Sequence, residues 1–278
     1  MGKIGLILLL LFSLGGCRKE RATRYDLAKL SSPVVFRGDS VTAYRDPAVL
    51  YHDGRFYLFF SLFEIRGDSV HGYTAQSESD DLLHWTTPRR ITPDLQDKNY
   101  SSPGNVIRFR DEWILCLQSY PRPGYTVDQM PRYGNRDARL YLMRSRDLRN
   151  WSEPELMKVK GNVPFERMGR MIDPYLVEDK DEPGKWWCFY KQNGVSMSYS
   201  YDLKNWVPHG SVRSGENVCV LTENNEYILF HSPKNGIGIK KSRTLQNWLD
   251  WGNIITLGQK DWEWARGRVT AGTGVNLA

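Results

Sequence analysis

A seven-residue signature that occurs four times constrains the fold of this chain more than any other feature. It reads Ser-x-Asp-Leu-x-x-Trp, and its successive copies lie 42 to 66 residues apart. Repeats of this period are typical of solenoids, propellers and arrays, in which each unit is one supersecondary element. The copies end at Trp85, Trp151, Trp206 and, with Thr244 in the place of Asp, Trp248.

Each unit also opens in a similar way, with a small or acidic residue that leads into an apolar, β-prone segment. The four openings are residues 44–51, 101–107, 171–177 and 214–220. Aligned on this pattern, Asp46, Asp173 and Glu216 occupy equivalent places, and Ser102 holds that place in the second unit. Three carboxylates in register with a repeat are candidates for a shared site.

The units contain strands rather than helices. Residues 49–51 and 56–61 are apolar runs on either side of the turn at 52–55, which is a strong hairpin signal. A third strand follows, and then the signature, whose Ser and Asp can bond nearby backbone while Leu and Trp pack into the sheet. No apolar period of 3.6 residues is sustained. The sequence therefore predicts an all-β protein, a β-propeller whose innermost strands bring the acids to one channel.

Four complete units end near Trp248, and the residues that follow are few for another blade. Residues 265–272, which include Arg266 and Arg268, can form the first strand of a partial fifth blade. Either residues 25–45 help to close the ring, or the chain is a truncated version of a longer protein. We favour truncation, with a C-terminally incomplete propeller.

The first 16 residues resemble a bacterial lipoprotein signal peptide. Lys3 precedes an apolar run that is too short to span a bilayer, and small residues then lead to Cys17. Cys17 is the expected lipidation site, residues 17–40 the expected tether, and residues 41–278 the expected propeller catalytic domain. The alternative is an ordinary secretory signal. The expected location is the cell envelope, with the membrane reached through a lipid anchor.

The formal charge of +6 and the pI near 9.0 permit a nucleic-acid partner, but Lys and Arg are scattered among acids and form no basic run. We therefore expect no nucleic-acid partner. Three further cysteines, Cys116, Cys188 and Cys219, lie in apolar β-like runs without metal-ligand spacing. We expect them to be small buried core residues rather than a disulfide framework or a zinc site.

The Asp-Pro at 46–47, the Ile-Asp-Pro at 172–174 and the Glu that opens the next unit resemble glycoside hydrolase family 43 and its relatives. The resemblance covers residues 44–248 and implies a five-bladed β-propeller. It also implies that Asp46 is the general base, that Asp173 raises the pKa of the acid and orients it, and that Glu216 is the general acid. The implied activity is release of a terminal sugar, such as arabinofuranose or xylose, from an oligosaccharide or polysaccharide.

The chemistry agrees with such a trio. Inverting hydrolysis needs a base and an acid about 6.5 to 9.5 Å apart, and opposite sides of a propeller channel supply that gap. A carboxylate beside the acid disfavours a second negative charge, so the acid can stay protonated near neutral pH. No cofactor is required by this scheme. A structural calcium ion in the central channel is left open.

Several other residues are candidates for contact with the substrate. Ser102 and Arg268 would lie on innermost strands, and Tyr125, with Tyr120 and Tyr133, lies in a long insertion at 119–137. His231 can meet a sugar hydroxyl, with a core histidine as the alternative. Glu166 is a fallback acid near the channel mouth.

Two other functions stay open at this point. A retaining glycosidase of the fructan-hydrolase kind would use the first Asp as nucleophile, and its carboxyl groups would lie about 5 Å apart. A catalytically inactive glycan-binding lipoprotein would keep the scaffold without the chemistry.

Overall fold

The computed structural model describes residues 34–131, 134–256, 269–275 and 277. Within these ranges the chain forms four antiparallel sheets that follow one another in sequence. The first contains β1 (Thr42–His52), β2 (Arg55–Arg66), β3 (Ser69–Ser79) and β4 (Arg89–Arg90). The second contains β5 (Tyr100–Ser101), β6 (Val106–Phe109), β7 (Glu112–Ser119), β8 (Arg139–Ser145) and β9 (Glu155–Leu156).

The third and fourth sheets repeat this order. The third contains β10 (Ile172–Glu178), β11 (Trp186–Gln192), β12 (Gly194–Ser200) and β13 (Val207–Val212). The fourth contains β14 (Glu216–Glu223), β15 (Glu226–Ser232), β16 (Gly238–Ser242) and β17 (Leu249–Asp250). Two 3-10 turns, Val127–Gln129 and Phe165–Arg167, lie in the connections.

Each sheet is a meander in which strands pair with their neighbours along the chain, except that β5 and β6 of the second sheet both pair with β7. The opening strands of all four sheets contribute to one central cavity. This arrangement is that of a β-propeller, so the all-β propeller prediction is confirmed, and we call the sheets blades 1 to 4. A complete fifth blade is not seen among the described residues.

The Ser-x-Asp-Leu-x-x-Trp signature forms the same loop after the third strand of each blade. In blade 2 the Asp147 carboxylate accepts hydrogen bonds from the backbone N–H groups of Arg149 and Asn150. The Leu residue of every copy has a positive φ, between 57° and 66°, which a residue with a side chain seldom adopts. The polar caps compensate for this strain, and so the signature is a loop motif with a structural purpose.

The cores of the propeller lie between blades. One cluster joins blades 2 and 3 and contains Cys116, Cys188 and Trp206; another joins blades 3 and 4 and contains Cys219, with Trp248 packed against it. All three cysteines are buried free thiols, as expected for core residues. Trp151, Trp206 and Trp248 likewise pack in or against the cores between blades, whereas Trp85 contacts Phe36.

The position next to blade 4 is occupied by residues 269–275, which form no strand. The Ala271 backbone N–H donates to Ser232 Oγ, and Gly274 lies against Cys219. Residues 257–268, which contain half of the predicted first strand of a fifth blade, lie outside the described residues. At blade 1, the aromatic side chain of Phe36 packs on Tyr44 and Phe60, on the face of the sheet that points away from blade 2.

The predicted signal peptide, Cys17 and most of the tether lie outside the described residues. Among the residues that are described, none belongs to a helix of the length and apolarity that a membrane crossing requires.

Candidate active site

One residue near the start of each innermost strand has left-handed backbone geometry. These residues are Asp46, Ser102, Asp173 and Asn217, with φ between 44° and 53°, and Ala271 has a φ of 58° beside blade 4. In blades 1, 3 and 4 the strand gains one extra residue at this point, so the pairing with the second strand shifts. Such a bulge turns a side chain out of the sheet, here towards the central axis.

The register corrects the sequence alignment at Glu216. Arg45 pairs with Ser61 and Ile172 with Lys191 immediately before their bulges, and Glu216 pairs with Ser232 at the same place. Glu216 is therefore equivalent to Arg45 and Ile172. Asn217, not Glu216, is equivalent to Asp46 and Asp173. The side chain of Glu216 leaves the sheet on the Ser232 side, which faces residues 269–275.

Asp46 is held in place by two hydroxyl groups from neighbouring strands. Its Oδ2 atom accepts hydrogen bonds from Ser61 Oγ at 2.8 Å and from Ser102 Oγ at 3.0 Å. Ser61 Oγ also accepts the Ser102 backbone N–H at 2.7 Å. The arrangement joins blades 1 and 2 and leaves Oδ1 of Asp46 without a protein donor among the described residues.

Asp173 is buried, with 9% of its surface exposed. Its backbone N–H donates to Gln118 Oε1 at 2.8 Å, which joins blades 2 and 3. Burial, together with the charges of Asp46 and Glu216, raises the pKa of Asp173 to about 7, although the backbone N–H of Asn217 and the charge of Arg170 oppose the change. Asp173 therefore keeps a proton close to neutral pH, whereas an ordinary aspartate does not.

The two aspartates line the same cavity. Its walls come from all four innermost strands and from residues 271–273, and its volume of about 30 Å³ leaves room for one or two water molecules. Gly104 is required here, because a Cβ atom at that position would lie 1.6 Å from the Pro174 carbonyl oxygen. The close approach of blades 2 and 3 keeps the base of the channel narrow.

The other predicted site residues divide into two groups. Ser102 lines the cavity with the aspartates. Tyr125 and His231 are buried elsewhere: the Tyr125 backbone carbonyl accepts the Val70 N–H, and His231 Nδ1 accepts the Gly215 N–H at 3.1 Å. Burial and the charge of Lys240 lower the pKa of His231, so this histidine is neutral near pH 7.

The remaining candidates do not line the cavity or do not belong to the described residues. Glu166 is exposed on a 3-10 turn and does not line the cavity. Tyr120 is half-buried at the end of β7. Arg268, Tyr133 and Cys17 lie outside the described residues.

Three residues of the site were not found by sequence reasoning: Ser61, Gln118 and Asn217. Ser61 on β2 and Gln118 on β7 occupy equivalent places, opposite Arg45 and Ser101. Aligning the second strands of the repeats on their openings would have revealed this polar position. Asn217 had a signal of its own, because Asn and Asp tolerate left-handed geometry better than most residues.

Comparison with known proteins places this fold among glycoside hydrolases. The sequence matches no protein-family profile and no curated protein. Among solved structures it is similar to a family 117 glycoside hydrolase from the marine bacterium Zobellia galactanivorans, with a TM-score of 0.58 and 12% identity over 79% of this chain and 72% of that one.

Two further similar structures act on arabinose-containing glycans, by their names. An exo-1,5-α-L-arabinanase from a bovine ruminal metagenomic library has a TM-score of 0.55 and 19% identity, covering 80% of this chain and 78% of that one. The catalytic domain of a family 62 α-L-arabinofuranosidase from Coprinopsis cinerea has a TM-score of 0.53 and 16% identity, covering 77% and 70%. At these identities the comparisons establish a shared fold, that of the propeller glycoside hydrolases.

Proposed function

We propose that this chain is a glycoside hydrolase that releases a terminal sugar from an oligosaccharide or polysaccharide with inversion of configuration. One observation carries the proposal: two aspartates from different blades line one cavity, and burial raises the pKa of one of them, Asp173, to about 7. A base and a proton donor in a common channel are what inverting hydrolysis needs. The glycoside hydrolase fold supports this reading.

In this proposal Asp46 is the general base. The Ser61 and Ser102 hydroxyls both donate to Oδ2, so they fix the orientation of the carboxylate. Oδ1 then accepts a proton from a water molecule, for which the cavity has room. The water attacks the anomeric carbon as the bond to the leaving oxygen breaks.

The general acid is either Asp173 or Glu216. The family resemblance implies that Glu216 is the general acid. It implies that Asp173 raises the pKa of that acid and orients it. The geometry favours Asp173 as the group that holds the proton, because it lines the cavity and is protonated up to about pH 7. After burial and the charge of Asp46, the charge of Glu216 also contributes to the raised pKa of Asp173, so Glu216 is close enough to influence that residue.

A structural calcium ion in the central channel stays a prediction. The described part of the chain contains no group of three or more His, Cys, Asp or Glu side chains arranged to hold a metal. We therefore derive no step through a bound ion.

The substrate class in this proposal comes from the similar structures. Arabinofuranosides and arabinan are the first substrates to test, because the names of two similar structures specify arabinanase and arabinofuranosidase activity. A retaining mechanism, with Asp46 as nucleophile, is the second candidate, and a glycan-binding protein without activity is the third.

The test is a screen of aryl glycosides and of arabinan and xylan oligomers with the wild type, Asp46→Ala and Glu216→Gln. Wild-type hydrolysis that both variants retain would show that the site is elsewhere. Sugar binding without hydrolysis in the wild type would select the glycan-binding function.

We also propose that the protein is attached to the cell envelope through a lipid on Cys17, and that residues 265–272 belong to a fifth blade. Metabolic labelling with a fatty-acid analogue, compared between the wild type and Cys17→Ala, tests the anchor. An unlabelled wild type excludes it.

A further inference from the structure

Each of the four blades places one polar side chain at the channel from the same backbone position. These are the left-handed residues of the innermost strands, Asp46, Ser102, Asp173 and Asn217, and all four line the cavity. Ser102 Oγ donates to Asp46 Oδ2 at 3.0 Å, and the charge of Asp46 acts on Asp173. The equivalent geometry of Asn217 brings its side chain to the same space, as the fourth polar group around the channel.

The carboxamide of Asn217 differs from the other three side chains because it has no partner. Asp46 accepts hydrogen bonds from two hydroxyl groups, and Ser102 supplies one of them. The carboxylate of Asp173 accepts the backbone N–H of Asn217. Within the described ranges of the chain, no hydrogen bond involves the Asn217 carboxamide, which is half-buried and carries two donors and an acceptor oxygen. This group is available to a ligand in the channel.

The backbone does not require an asparagine at position 217. Left-handed geometry favours Asn over most residues, but Ser102 and Ala271 adopt it at equivalent places, with φ of 44° and 58°. The bond to Asp173 comes from the backbone N–H of Asn217, which any residue except proline would supply. Neither the fold nor the junction with blade 3 therefore accounts for the carboxamide.

The size of the cavity limits what the carboxamide can contact. A volume of about 30 Å³ holds one or two groups of the size of a water molecule and is too small for a sugar ring. A hydroxyl group of a sugar bound above the cavity has the right size. A hydroxyl group both donates and accepts hydrogen bonds, and the carboxamide of Asn217 offers both functions without a charge.

We propose that the carboxamide of Asn217 binds a hydroxyl group of the sugar that is released and so determines specificity for that sugar. This inference rests on the proposed function and adds a substrate-binding residue to it. Because the Asn217 N–H is bonded to Asp173, the bound hydroxyl lies next to the group that holds the proton. A carboxylate at position 217 would add a third negative charge and raise the pKa of Asp173 further, which the neutral amide avoids.

The test removes the hydroxyl group and the carboxamide separately and together. The ratio kcat/KM is measured for nitrophenyl α-L-arabinofuranoside and for its monodeoxy analogues, with the full chain as wild type and as Asn217→Ala. We expect the wild type to lose about tenfold in kcat/KM on one of the analogues, since one hydrogen bond is lost. On that analogue Asn217→Ala is expected to lose less than about twofold, because the two groups that form the bond are coupled.

Asn224→Ala is the matched control, because Asn224 also has a left-handed backbone, with a φ of 48°, but lies in the turn at the far end of β14. It is expected to leave every ratio unchanged. Asn217→Gly removes the carboxamide without placing a Cβ atom in left-handed geometry, so it should reproduce the result of Asn217→Ala.

Hydrolysis by the wild type, with a loss on every analogue that persists in both Asn217 variants, overturns the inference and leaves the proposed function in place. Equal hydrolysis of all the analogues by the wild type has the same meaning. If the wild type binds these glycosides without hydrolysing them, the proposed function is wrong. The same ratios, taken from dissociation constants measured by calorimetry, then decide the inference by itself.

Discussion

Ser102 Oγ donates a hydrogen bond to Asp46 Oδ2 across the junction between blades 1 and 2, at 3.0 Å. The two residues occupy equivalent positions in their blades and share the same left-handed backbone geometry. The repeat therefore places a carboxylate and the hydroxyl that orients it at neighbouring corners of one channel. In the proposed mechanism this contact aims the free Oδ1 atom of the base at the water molecule.

Removing this hydroxyl should weaken catalysis without abolishing it. We expect Ser102→Ala to lower kcat about tenfold, since one hydrogen bond to a charged group is lost, and to change KM little. Ser61→Ala should have a similar effect on kcat and a larger one on stability, because Ser61 Oγ also accepts the Ser102 N–H. Steady-state kinetics on the best substrate from the screen measure both.

Ser102→Thr keeps the hydroxyl and serves as the control, with kcat expected within about threefold of the wild type. An Ala variant that changes KM alone would instead make Ser102 a substrate contact, as the sequence suggested.

The raised pKa of Asp173 makes the stability of the fold depend on pH. The folded protein holds this proton up to about pH 7, whereas the unfolded chain releases it near pH 3.8. Between these values the folded state binds more protons, so the free energy of unfolding falls as pH rises, by at most about 4 kcal/mol from this group. Asp173→Asn should remove the dependence. Urea unfolding at pH 5 and pH 8 compares the two proteins.

We expect the free energy of unfolding of Asp173→Asn to equal or exceed that of the wild type at pH 8. Any advantage of the variant should be smaller at pH 5. A variant that is less stable than the wild type by the same amount at both values would mean that the Asp173 proton is not linked to folding.

The identity of the general acid can be separated from that of its neighbour by the leaving group. A variant that lacks the acid loses activity on substrates with poor leaving groups but keeps it on activated aryl glycosides, which need no protonation. We expect this pattern for Asp173→Asn. Glu216→Gln should instead shift the upper limb of the pH profile, because its charge helps to raise the pKa of Asp173.

If only Glu216→Gln loses activity on substrates with poor leaving groups, Glu216 is the general acid, as the family resemblance implies. The rate of each variant on a dinitrophenyl glycoside and on a natural oligosaccharide is sufficient to decide.

The closing loop of blade 4 lacks the carboxylate that the other three copies have. In blade 2, hydrogen bonds from the backbone N–H groups of Asn150 and Arg149 hold the pKa of Asp147 well below its usual range. Thr244 occupies that place in blade 4, and Leu245 still has a φ of 63°. Thr244→Asp should therefore raise the melting temperature by about 2 to 4 °C at pH 7, since it restores a carboxylate acceptor.

This gain requires an ionised carboxylate, so it should be lost progressively as the pH falls from about 4 towards the lowered pKa of the folded state. Thr244→Asn is a matched control for the charge. An equal gain in both variants at pH 3 and pH 7 would show that the carboxylate is not responsible.

The sequence was sufficient to predict the repeat, the β-propeller and two of the aspartates. Asp46 and Asp173 each precede a proline at a bulge, so residue type and spacing both marked them. The hydrophobic period and the closing signature required no knowledge of tertiary structure. These features are local, and local features are what a sequence pattern records.

The register at blade 4 could not be predicted in the same way. There, the acidic Glu216 was aligned with two aspartates because it shares their charge, but no proline follows Asn217. Only the strand pairing places Asn217 at the bulge. The role of His231 could not be predicted either. Its ring accepts a hydrogen bond from the Gly215 N–H, which is distant in sequence, and the residues around either position do not indicate this contact.

The central claim is that Asp46 activates water in a channel that it shares with Asp173. Proton NMR of the sugar released from the best substrate, followed over the first minutes, tests it most directly. We predict that the wild type releases the inverted anomer first and that Asp46→Asn lowers the rate by at least about a hundredfold. Release of the retained anomer, or an Asp46→Asn variant that hydrolyses at the wild-type rate, would contradict the account.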